Sequence, residues 1–164
     1  GTASSSTFLR GDNSWASAGG VNTPTFKAYV AAGTTAHTSD VLTKMTYDTE
    51  SFDVGACFDT SNNRFVVPSG EGGKYFLYAS IRWEPVAAKQ LSWVPYKNGS
   101  GFGWNQIDTA SSGFSYYTVW GSLFLDLNAT DYIEIYARHN KGSNLNMAGG
   151  NNINSVFGGW KIIE

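Results

Sequence analysis

Apolar and polar residues alternate with a period of two along most of this chain, and no stretch repeats at the helical spacing. Tyr75, Leu77, Ala79, Ile81 and Trp83 occupy every second position of one run. Strict alternation of this length predicts a strand with one face in a core. The other face, beginning Phe76 and Tyr78, is also aromatic, which a solvent-facing surface does not require. Further strands are expected at 26–30, 41–47, 52–58, 64–67, 91–96 and 132–138, with Ile133, Ile135 and Ala137 inward. The run 116–127 reads as strand–turn–strand or as one strand bent at Gly121, and a last strand closes the chain at 157–163. Asp59 to Asn63, Asn98-Gly99 and Asn128 to Asp131 are the turn signals, and residues 139–155 read as an Asn/Gly loop. About ten short antiparallel strands with frequent turns predict an all-β jelly-roll sandwich.

Composition sharpens this picture. Of 164 residues, 15% are aromatic and 15% charged, against about 25% charged in an ordinary soluble domain. Much of the surface is therefore uncharged or hidden in an assembly. A net charge of −2 leaves no basic stripe and argues against nucleic acid as a partner. No apolar run reaches the length of a membrane-spanning helix, so membrane insertion is not expected. The lone Cys57 sits in an apolar run and is expected to be a small buried hydrophobe.

Residues 1–23 are rich in Ser, Thr, Gly and Ala and read as an extended arm or linker, with the domain proper at 24–164. Phe8, Leu9 and Trp15 are too apolar for a free linker and are expected to dock on a neighbouring surface. Arg10-Gly11-Asp12 spells an adhesion tripeptide, but a linker turn is the preferred reading, since such a triplet recurs by chance. The run Phe8-Leu9-Arg10-Gly11-Asp12-x-x-Trp15 resembles a short element found in bacteriophage tail and fibre proteins just before a C-terminal domain.

Candidate chemistry is sparse. His37 and His139 lack metal-ligand spacing and are read as surface or loop residues. Glu50 with Asp53, and Asp126 with Asp131, fall at turns or strand ends, where acidic residues are ordinary; Asp53 is read as a turn cap. No nucleophile or phosphate-loop motif is present, so an enzyme is not expected. Asn98-Gly99-Ser100 and Asn128-Ala129-Thr130 fit a glycosylation sequon but read as turns. Aromatics set among glycines and amides suit neutral sugars, where rings stack and polar groups read hydroxyls. The candidate ligand-binding residues are Phe102, Trp104, Asn105, Tyr116, Tyr117, Asn144 and Asn146; interface or core roles compete for each aromatic among them.

The spacing Tyr47, Asp53, Phe58, Phe65, then Gly73-Lys74-Tyr75-Phe76-Leu77 resembles the signature of complement component 1q globular heads, which share the tumour necrosis factor jelly roll. Pro24 to Tyr29, Lys97-Asn98-Gly99, Leu123-x-Leu125-x-Leu127 and Phe157 to Ile163 resemble further family segments in order, over residues 24–163. The chain departs at Ser69 to Gly72, a loop enlarged by two, at Leu77 and Ala79, where aromatics are usual, and at Thr130, where a Gly is usual. The resemblance implies a homotrimer, for which Phe76, Tyr78, Tyr132, Tyr136 and Trp160 are the candidate interface residues. Calcium is the metal it implies, though no acidic cluster announces a site.

The expected function is therefore a non-enzymatic, trimeric head of a phage tail fibre or related virion protein, exposed on the particle. It would bind a bacterial surface glycan or protein. A purely structural trimerisation cap is the alternative, and a glycan-degrading tail spike a third possibility.

Overall fold

The computed structural model describes residues 7–17, 22–110, 114–150 and 153–162. Its strands, in chain order, are β1 (Thr7–Leu9), β2 (Trp15–Ser17), β3 (Thr25–Tyr29), β4 (Thr34–His37), β5 (Thr43–Lys44), β6 (Thr49–Val54), β7 (Phe58–Asp59), β8 (Arg64–Val66), β9 (Gly73–Trp83) and β10 (Gln90–Lys97). Then follow β11 (Ser100–Gly101), β12 (Asn105–Asp108), β13 (Tyr117–Leu127), β14 (Tyr132–His139), β15 (Leu145–Ala148) and β16 (Val156–Lys161). Apart from a separate β1–β2 hairpin, these form two seven-stranded antiparallel sheets.

In the first sheet β13 lies at one edge beside β9, and β16, β3 and β6 follow in turn; β15 and β4 extend the far end of β9. In the second, β10 and β14 form the centre, flanked by β11 and β12 on one side and by β5, β8 and β7 on the other. The core lies between them. The odd-numbered residues of β9 from Tyr75 to Trp83 are all buried, as their alternation requires. Phe26 stacks on Phe58 and Phe65 at 5.1 Å each and meets Phe157 edge-on at 5.1 Å. Ile133, Ile135 and Ala137 face this core from β14.

Local chemistry sets the boundaries. The carboxylate of Asp59 accepts from the Asn62 amide at 2.9 Å, closing the β7–β8 turn, with Asn63 at φ 48°. Asp53 accepts from the backbone N–H groups of Cys57 and Phe58, at 3.0 Å each, and so caps the irregular step between β6 and β7. Cys57 is buried beside it, and burial pushes its thiol well above the ordinary range. The loop at 69–72 is tied down: Tyr75 donates its hydroxyl to the Glu71 carbonyl at 2.6 Å, and Lys161 pairs with the Glu71 carboxylate at 3.0 Å.

Several expectations change. The apolar stretch 41–47 yields only the two-residue β5, because Met45 and Tyr47 enter the core from irregular backbone. The run 116–127 is one continuous strand. Residues 139–155 hold β15, paired with β4 and β9, in place of a plain loop. His37 and His139 are not surface residues: they are 4% and 0% exposed, and both rings stand edge-on to Trp83, at 5.2 and 5.3 Å. Pairing of β4 with β15 carries His37 inward.

Candidate functional site

The registers of β13, β9, β16, β3 and β6 place one row of side chains on the outer face of the first sheet. Phe124 lies opposite Phe76, Phe76 opposite Trp160, Trp160 opposite Thr25 and Thr25 opposite Val54. The Phe76 ring is 5.0 Å from Phe124 and 4.6 Å from Trp160, so three aromatics are in direct succession. The next row runs Ser122, Tyr78, Gly158, Lys27, Phe52. Tyr78 and Phe76 approach at 6.4 Å. Tyr78 lies flat over Gly158, where a Cβ would stand 2.5 Å from its hydroxyl oxygen. Two strand positions further on, Trp120 projects from β13.

Trp120 is 75% exposed and Phe124 73%, and Phe52 and Val54 at the opposite edge are also exposed. The face, about 19 Å across five strands, is therefore mainly apolar on β13, β9 and β16 and again at β6, with Thr25 and Lys27 of β3 between. Beside it, Lys74, Phe124, Asp126 and Ile162 help to line a shallow depression of about 140 Å³.

Of the five residues expected at an interface, Phe76, Tyr78 and Trp160 share this surface. Tyr132 and Tyr136 do not: both belong to β14 in the second sheet. There Arg64 lies 4.5 Å over the Tyr132 ring, and Tyr136 packs on Tyr96 at 4.1 Å. A contact that used both groups would have to join different faces of neighbouring subunits. Trp120 and Phe124 were missed from the sequence because 116–127 carries apolar residues at both parities; the signal is that Trp120 and Phe124 share their parity with the polar Thr118, Ser122 and Asp126.

The seven candidate ligand residues are distributed over two regions. Phe102 packs against the core, Trp104 is 54% exposed, and Asn105 lies on β12 opposite Trp93, its side-chain oxygen against Gly121 of β13. Tyr116 and Tyr117 lie at the start of β13, where the Arg82 guanidinium stacks 3.9 Å over Tyr116 and Phe114 meets Tyr117 at 5.6 Å. Asn146 donates to the Glu84 carboxylate at 2.9 Å, and the Asn144 carbonyl accepts from Lys141 at 3.1 Å. Arg82, absent from the sequence-based set, links this second region to Asn154 at 2.5 Å. Position in β9 gives no hint of that role.

Among the described residues no three of His, Cys, Asp and Glu come together as a metal site. The described residues of one chain thus supply no calcium cluster by themselves. Among the same residues, no helix is long and apolar enough to cross a membrane.

No family model matches the sequence, and no curated protein matches it. Solved structures match the fold. The Eiger tumour necrosis factor of S. frugiperda superposes with a TM-score of 0.59 at 12% identity, covering 85% of this chain and 92% of that one. The globular domain of zebrafish complement 1qA gives 0.58 at 16% identity, covering 86% of this chain and 98% of its own. Murine APRIL gives 0.58 at 13%, covering 84% and 98%. This is the tumour necrosis factor/complement 1q jelly roll. At such identities the likeness is one of fold. Within the jelly roll, the aromatic row crosses the β13–β9–β16–β3–β6 sheet, and the 69–72 loop sits beside its β9–β16 segment.

Proposed function

We propose that the chain is one subunit of a homotrimeric, non-enzymatic attachment head on a bacteriophage tail fibre or related virion protein. The observation that carries the trimer is the outward aromatic row Phe124–Phe76–Trp160, with the exposed Trp120 beside it on β13 and exposed Phe52 and Val54 at the opposite edge. A monomer rarely exposes a contiguous apolar patch of more than a few hundred Å². Permanent homo-oligomer interfaces, by contrast, resemble a domain core cut in half. A three-fold contact joins unlike patches of neighbouring subunits. Exposed apolar residues at both edges of one sheet, Trp120 with Phe124 and Phe52 with Val54, supply such patches.

The virion setting is supported by the resemblance of Phe8 to Trp15 to the element that precedes C-terminal domains of fibre proteins. Attachment to a bacterial surface glycan or protein follows from that setting and is supported by Trp104, exposed between Gly103 and the amide-bearing Asn105. Three sites per head, and several heads per particle, would turn weak contacts into avidity.

A structural trimerisation cap is favoured by a different observation: Phe102, Tyr116 and Asn146 are already engaged by the core, Arg82 and Glu84. Sedimentation velocity at micromolar concentration tests the trimer, and a monomer would sink the proposal. Glycan-array and host-cell binding, repeated with Trp104→Ala, separate the two roles. Binding lost in the variant with its trimer intact supports attachment. No binding to any plausible host cell leaves the cap. Reducing ends released from host polysaccharide would overturn both.

A further inference from the structure

The β1–β2 hairpin belongs to neither seven-stranded sheet: β1 pairs with β2 alone, with Leu9 opposite Trp15. A lone two-stranded hairpin is marginal in water and gains stability only when its apolar face is covered. Here that face is open, with Leu9 55% and Trp15 36% exposed. The turn between the strands is nevertheless well made. Arg10 donates its backbone N–H to the Ser14 carbonyl at 2.7 Å, and Asn13 donates to the Arg10 carbonyl at 3.0 Å. One oxygen of Asp12 accepts from both the Ser14 amide, at 2.9 Å, and its hydroxyl, at 2.6 Å. A built hairpin with an uncovered Leu–Trp pair needs an occupant.

Six residues separate Ser17 from Pro24, so the hairpin is tethered within about 25 Å of that proline. Pro24 is anchored at the aromatic sheet, its carbonyl accepting from Lys161 at 3.0 Å, and Thr25 next to it lies in the aromatic row opposite Trp160. If the aromatic face is the subunit contact, it brings three tethers together. Three identical hairpins then meet at the high effective concentration that short linkers impose. Each turn carries one cation and one anion, Arg10 and Asp12, so three copies add no net like-charge repulsion.

We propose that the Leu9–Trp15 face packs against the same face of two sister subunits, forming a second, N-terminal three-fold seam above the jelly rolls. This rests on the trimer reading. It gives Arg10-Gly11-Asp12 a structural task, as the turn that keeps Leu9 and Trp15 in register.

The test uses the full chain with Cys57→Ser, carrying either Leu9→Cys or, as control, Ser61→Cys in the exposed β7–β8 turn. Each is treated with a short bismaleimide and sized, alongside sedimentation of the untreated protein. The seam predicts a trimer in which Leu9→Cys cross-links between subunits several-fold more than Ser61→Cys. It also predicts that Leu9→Ser with Trp15→Ser raises the trimer dissociation constant about ten-fold or more. A trimer whose Leu9→Cys cross-links no better than the control, or one equally tight in the double variant, overturns the seam and leaves the aromatic interface standing. A monomer overturns both.

Discussion

His37 stays neutral in the folded chain because burial, reinforced by the neighbouring His139, lowers its pKa from the ordinary 6.5 to about 4. Its Nδ1 has no hydrogen-bond partner among the described residues, while His139 Nε2 lies 2.9 Å from the His37 carbonyl. Between pH 6.5 and about 4 the unfolded chain takes up a proton that the folded chain refuses, so this residue lowers stability as pH falls through that window. The slope is about 1.4 kcal/mol per pH unit and the total about 3 kcal/mol. Urea midpoints of His37→Leu should lose that slope; an unchanged pH dependence would refute the assignment. Two adjacent glycines make a second contrast at this scale. A Cβ on Gly159 would stand 2.5 Å from the Phe76 carbonyl oxygen, which is backbone, whereas on Gly158 its three nearest neighbours are all atoms of the Tyr78 side chain. Tyr78 can swing aside and the carbonyl cannot. Gly159→Ala should therefore cost about 3 kcal/mol and Gly158→Ala about 1, as read by thermal or urea unfolding.

Among elements, the β10–β11 hairpin turn and the β13–β14 turn, which crosses from the first sheet to the second, are coupled through Asp131. Its carboxylate accepts from Lys97 at 2.8 Å, from the Asn98 side chain at 2.7 Å and from the Asn128 amide at 2.9 Å. The bonds from Lys97 and Asn98 hold its pKa at about 2. The turn after β10 is thereby fastened to the turn before β14, and Asn98 completes the link by accepting from the Tyr132 amide at 2.9 Å. Asp131→Ala should cost about 2 kcal/mol in chemical denaturation. In the wild-type chain this contribution is full above the ordinary aspartate pKa and is lost as pH falls toward 2. A variant as stable as the parent at pH 7 would show that the turns close independently. The two turns were each legible as Asn-Gly and Asn-x-x-Asp signals; their fastening to one another was not, since 33 residues separate Asn98 from Asp131.

At the scale of the whole molecule, the jelly roll leaves an aromatic face that the fold itself does not use. Phe124 is 73% exposed and contributes little to the protomer's own core, so its replacement separates folding from assembly. Phe124→Glu should move sedimentation from trimer to monomer, with near-ultraviolet circular dichroism unchanged. At the centre of an interface, burying an unpaired carboxylate costs several kcal/mol, which corresponds to about a hundred-fold or more in dissociation constant. An unshifted trimer would move the subunit contact to another surface, such as the Tyr132 and Tyr136 face of the second sheet.

The sequence by itself determined the architecture, because strand alternation and turn chemistry are local. Tyr75 to Trp83, the Asp59–Asn63 turn, the Asp53 cap and the inward face of β14 all follow from neighbours along the chain. It also marked Phe76 and Tyr78 as side chains that a single core did not need, and named Trp160 with them among the interface candidates. Only the tertiary structure decided that these three share a surface with Phe124 and Trp120, while Tyr132 and Tyr136 lie on the opposite sheet. Which sheet a strand joins depends on long-range pairing, and alternation says only that a strand has two faces. For the same reason Thr34–His37 and Leu145–Ala148, which carry no strong pattern, became strands by pairing with each other and, for Leu145–Ala148, with β9. That pairing is what buries His37 against Trp83.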